Sequence, residues 1–66
     1  MNVHHADLRE AVNHLAEEAF RQDLISGYGD GERDDEYQIV YKGKPRHLPL
    51  QRAWIFLSRL VRRGQQ

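Results

Sequence analysis

The chain has 66 residues, no cysteine and a formal net charge of zero. That length holds one small domain, residues 1–66, and the missing thiols exclude disulfides and thiolate metal sites. No apolar run approaches the ~18 residues a membrane span needs, and MNVHHADLRE lacks the apolar stretch of a signal peptide, so the expectation is a soluble, cytoplasmic protein.

In chain order, residues 1–5 read as a frayed N-terminus. A first helix is expected from about Ala6 to Leu24. Asp7 and Glu10 form a capping pair at its positive end, with Asn2 as an earlier cap. Leu8, Ala11, Val12, Leu15, Ala16 and Ala19 make one apolar stripe of helical period. Asp7, Glu10, His14, Glu17, Glu18 and Arg21 fall on the far side, so this helix turns an acidic back to solvent. Gly27 is the expected left-handed stop.

Residues 26–36, SGYGDGERDDE, read as an acidic, glycine-rich loop. Residues 36–42, EYQIVYK, alternate aromatic and β-branched residues with polar ones and predict a strand. Gly43 and Pro45 mark a turn, followed by a short return strand at residues 46–48. Pro49 and Gly64 bracket a second helix, whose stripe is Leu50, Ala53, Trp54, Leu57, Leu60 and Val61. The expected class is α+β: two helices on one face of a small antiparallel hairpin, in the order α-β-(β)-α. An isolated strand needs a hairpin partner or a strand from a second copy for its backbone, and a core this small supplies only about 3–5 kcal/mol. Completion by dimerisation, and a homodimer, are therefore expected.

Charge is segregated along the chain. Residues 1–36 hold all ten acids with only Arg9, Arg21 and Arg33, whereas residues 37–66 hold seven bases and no acid. Three candidate surfaces follow. The back of the second helix carries Arg52, Ile55, Phe56, Arg59 and Arg63, a mixture of arginine and large apolar groups of the kind that anchors interfaces, for a protein partner or a second copy. Its bland alternative is that Ile55 and Phe56 pack on the chain's own strand. Asp30, Glu32, Asp34, Asp35 and Glu36 form an acidic surface that imitates phosphate. Lys42, Lys44, Arg46 and His47, with Arg52 and Arg59, form a basic ribbon and helix for DNA or RNA. The opposite bland reading is that the acidic and basic halves neutralise each other within the chain.

Other chemistries are set aside. Counted from Asp30, the sixth and twelfth positions of a calcium loop hold Asp35 and Tyr41 rather than glycine and an acid. His4, His5 and His14 lack an evident further protein ligand. GYGDG leads into acids rather than a helix, which disfavours phosphate. Ser26 and Ser58 lack a nucleophile context. The expectation is a protein with no cofactor, no metal, no small-molecule substrate and no catalysis. It modulates or inhibits a larger macromolecular partner, in the manner of phage-encoded modulators of host nucleic-acid machinery or defence. A small DNA- or RNA-binding regulator is the alternative.

Overall fold

The computed structural model describes residues 5–64, with side chains from Asp7 onward. The segment read as frayed and the Asn2 cap lie outside the described residues, except for His5, whose backbone opens α1. The elements are α1 (His5–Arg21), β1 (Gly27–Asp30), β2 (Glu36–Tyr41), β3 (Lys44–Pro49) and α2 (Leu50–Gly64). The strands form one antiparallel sheet in the order β1-β2-β3. The class is α+β, and the sheet has three strands instead of a hairpin.

β1 arises inside the segment expected to be a loop. Its glycines hid it from a reading based on β propensity. Gly27 and Gly29 pair with Val40 and Gln38 on the outer face of the sheet, while Tyr28 pairs with Ile39 on the face that meets the helices. Directly opposed residues share a face, so glycine occupies the side that no helix covers. β2 gains both neighbours from within the chain. The expectation that a second copy supplies the missing strand is therefore corrected.

The β2–β3 turn is tight. Tyr41 pairs with Lys44, and the two residues between them, Lys42 (φ 52°) and Gly43 (φ 79°), both take positive φ. That is the type I′ geometry whose twist matches the flanking strands. A two-residue hairpin makes Tyr41–Lys44 a hydrogen-bonded pair, and bonding alternates from there. Leu50 N–H donating to the Asp35 carbonyl at 2.8 Å fits this alternation. Pro45, His47 and Pro49 are then the β3 residues whose backbone groups face outward. Two of these three lack an N–H, so the β3 edge is poor at accepting a further strand.

α1 ends four residues earlier than Gly27 implies. Leu24 N–H donates to the Ala19 carbonyl (2.8 Å) and Asp23 N–H to the Phe20 carbonyl (3.0 Å), with Asp23 at φ 62°. These are the two bonds of a Schellman stop, here with aspartate in the left-handed position. α2 starts directly after Pro49, which belongs to β3. Gly64 ends α2 against the segment that follows α1: a Cβ there would lie 2.8 Å from Leu24 Cδ1. Its role is close approach.

The core lies between the helices and the inner sheet face. Val12, Ala16 and Ala19 from α1 meet Ala53, Leu57, Leu60 and Val61 from α2 over Tyr37 and Ile39, with Ile25 and Leu50 completing the cluster. Small residues on α1 let α2 approach closely. The Tyr37 ring is fully buried, and its hydroxyl donates to Asn13 Oδ1, tying α1 to the central strand. Burial pushes the Tyr37 phenol up to about 12. Trp54 departs from expectation. It was assigned to the core stripe but is 45% exposed. At 100° per residue the buried residues of α2 span an arc of roughly 100°, and Trp54 lies just past Val61 at its margin, on the side away from β3.

Candidate docking groove

β3 and α2 run into each other at Pro49–Leu50, and the angle between them opens a groove of about 690 Å³. Its floor is apolar: Tyr41, Leu48, Phe56 and Leu60. Its rim is cationic: Arg46 from β3, and Arg52, Arg59 and Arg63 from α2. Ile55, 43% exposed, stands on the same rim. No acidic residue is among those lining it. The register explains the β3 contribution, because Arg46 and Leu48 oppose Ile39 and Tyr37 on the inner face.

The rings in the floor are already engaged. Phe56 meets Tyr41 edge to face, centroids 5.2 Å apart and planes at 85°. The Arg46 guanidinium lies 5.6 Å from the Tyr41 centroid and 5.7 Å from that of Phe56, and Lys42 Nζ lies 5.4 Å from Tyr41. These are cation–π distances. They keep the aromatic faces occupied by the chain's own cations and hold positive charge over an apolar floor.

Each of the expected sites has a definite place. Arg52, Ile55, Phe56, Arg59 and Arg63 come together in the groove. Within that set Phe56 packs partly on the chain's own strand, as the bland reading held, while Ile55 stays open. The basic set divides. Arg46, Arg52 and Arg59 line the groove, Lys42 sits in the turn, and Lys44 closes the hairpin. His47 opposes Gln38 on the other face, with Nδ1 3.7 Å from Glu36 Oε1. The acidic set divides as well. Asp30 accepts from Arg9 at 2.6 Å, and Glu36 is half-buried in β2. Glu32, Asp34 and Asp35 are exposed in the short connection between the strands. Among the described residues no group of three or more His, Asp or Glu side chains is placed to hold a metal ion, and no helix is long and apolar enough to cross a membrane.

Sequence reading placed Arg46 with Arg52 and Arg59 in the basic set but missed Leu48 and the Phe20–Tyr28 pair. Arg46 and Leu48 enter the groove through the strand register, which follows from the Lys42–Gly43 turn. The exposed Phe20 and Tyr28 rings meet edge to face (5.6 Å, 64°) and join α1 to β1; only the recognition of GYGD as a strand reveals this. Comparisons with protein-family models, with curated proteins and with solved structures find no match.

Proposed function

We propose that this chain is a non-catalytic binding protein that modulates or inhibits a larger protein partner, and that the arginine-rimmed groove is where the partner docks. The observation that carries this reading is the combination of four arginines, no acid and an exposed isoleucine around one apolar floor. A surface of this composition complements a protein segment that presents carboxylates beside apolar side chains. Arginine recognises carboxylate in a planar, bidentate manner, and apolar burial supplies affinity that charge alone lacks in water.

A phosphate backbone is the second reading, favoured by the exposed Lys42, Lys44 and Arg46 beside the α2 arginines. Single-strand binding draws on bases stacking against aromatic faces. Here Arg46 and Lys42 cover the Tyr41 and Phe56 faces, and Ile55 has no counterpart on a sugar–phosphate chain. A protein partner satisfies both features. The modulation of host machinery or defence by phage-encoded proteins is one biological form this activity takes, and a cytoplasmic setting accords with it.

The test is affinity capture from the source cells with the wild-type chain and with Arg52→Glu/Arg59→Glu, each with and without nuclease. The expected result is a protein retained by the wild type after nuclease treatment and lost with the charge reversal. Retention that nuclease abolishes, or that the reversal leaves unchanged, overturns it.

A further inference from the structure

The glycine-rich segment that forms β1 leaves one edge of the sheet open. Gly31 N–H donates to the Glu36 carbonyl at 3.0 Å, and bonding alternates from there along the β1–β2 register. Gly29 and Gly27 are therefore the β1 residues that bond Gln38 and Val40. The N–H and C=O groups of Tyr28 and Asp30 point the other way, off the sheet. Among the described residues no hydrogen bond reaches them. The opposite edge is blunted by Pro45 and Pro49, whereas β1 holds neither proline nor lysine. An unpaired row of this kind is a template for an extended chain.

Two of the three glycines here are accounted for within the chain. A Cβ on Gly27 would lie 3.3 Å from Val40 Cγ2, and one on Gly31 would lie 2.8 Å from Glu36 Cγ. Gly29 differs. A Cβ there would meet nothing within 4 Å, and its φ is not positive. Glycine weakens a strand interior. Where neither a turn nor crowding requires it, it marks close approach by another backbone or a ligand. Gly29 lies on the outer face, between the two residues whose backbone is open.

We propose that the β1 edge takes an extended segment of a protein partner that carries a large aromatic residue between two basic ones. Opposed residues share a face. The aromatic residue lies opposite Gly29 on the outer face, where its ring covers the glycine and reaches toward Gln38. An aromatic neighbour over an edge glycine fixes strand register. The basic residues lie opposite Tyr28 and Asp30 on the helix side. There they meet the exposed Tyr28 ring and the Asp30 carboxylate, whose side chain is 66% exposed although Arg9 bonds one oxygen. Arg9 and Phe20 mark the side of α1 that touches β1. At 100° per residue, the exposed Glu10 and Glu17 are turned further from the core on that same flank, so the edge is acidic from above. A second copy fits it poorly, because antiparallel pairing of two β1 edges about a two-fold axis brings these acidic flanks together. The site is separate from the groove, which lies at β3 and α2 and takes the opposite charge.

The experiment titrates the isotope-labelled chain with a short synthetic peptide of threonines with Arg-Trp-Arg at its centre, followed by NMR. Comparison peptides carry Glu-Trp-Glu, Arg-Ala-Arg, or the original side chains on a backbone N-methylated at alternate residues. Gly29→Val is the variant: its side chain has room in the free protein and suits a strand, and circular dichroism checks that it is folded. The expected result is shift changes along β1 and slowed amide exchange at Tyr28 and Asp30. Affinity is expected to fall about threefold or more with Arg-Ala-Arg or with Gly29→Val and at least about tenfold with Glu-Trp-Glu, and binding is expected to vanish with N-methylation. No change along β1 up to ~1 mM peptide, equal binding of the N-methylated peptide, or shifts confined to the groove overturns the proposal. Self-association of the free chain that Gly29→Val abolishes would place a second copy on this edge and also overturns it. The groove reading stands or falls separately, through Arg52 and Arg59.

Discussion

The claim that Arg46 caps the groove's rings has a measurable consequence. Its guanidinium lies over both Tyr41 and Phe56. A cation–π contact at an exposed site contributes about 0.5–1 kcal/mol, and the arginine stem adds some packing. Arg46→Ala is therefore expected to cost about 1–2 kcal/mol. Phe56→Leu keeps most of the apolar volume and removes the ring, so its cost comes from the lost edge-to-face pair with Tyr41, about 0.5–1.5 kcal/mol, together with its share of Arg46. A double-mutant cycle isolates that share, and the expected coupling is about 0.5–1 kcal/mol. Urea denaturation with linear extrapolation reads it, and a 1 kcal/mol change in a domain of this size moves Tm by roughly 4–8 °C. Coupling below about 0.3 kcal/mol, within the additivity expected of independent sites, would mean that the guanidinium is not held over the rings. The aromatic faces would then be free for bases, and the ground for preferring a protein partner would be lost.

Other outcomes follow from the fold. Because burial raises the Tyr37 phenol to about 12, the unfolded chain releases this proton near pH 10 while the folded chain retains it. Stability from this group is complete below about pH 10 and falls as pH rises through 12, by about 3 kcal/mol in all. Tyr37→Phe is expected to flatten the fall in a denaturation series from pH 9 to 12; an unchanged slope contradicts the burial argument. Asp23 sits at φ 62° in the Schellman position, so Asp23→Gly is expected to raise stability by about 0.5–1 kcal/mol. A loss there would show that the aspartate side chain contributes more than its conformation costs.

Much of the fold could be read from the chain because periodicity and local chemistry agreed. The α1 stripe around Val12, Ala16 and Ala19 and the α2 stripe around Ala53, Leu57 and Leu60 are both buried. β2 appears where aromatic and β-branched residues alternate. What failed did so for identifiable reasons. β1 is half glycine, and its strand character comes from pairing with β2, a nonlocal interaction. Trp54 matches the period of the stripe, yet a thin two-layer domain buries only about a quarter of the α2 circumference, and Trp54 falls outside it. The α1 stop depends on a backbone conformation that aspartate adopts less often than glycine. At the site, the α2 side chains share one helix face and were visible together. Arg46 was grouped with Arg52 and Arg59 by charge alone; its place beside Leu48 and Phe56 follows only from strand register. The acidic residues, clustered within residues 30–36, are parted by strand alternation and by the Arg9–Asp30 pair.

The groove is tested most directly by residue-resolved NMR shift mapping when the captured partner is added to the labelled chain. Docking in the groove predicts the largest changes at Arg46, Leu48, Ile55, Phe56 and Arg59, with little change at Gly27, Gly29, Gln38 and Val40 on the uncovered face of the sheet. Changes concentrated on that face, with the groove unaltered, would contradict it.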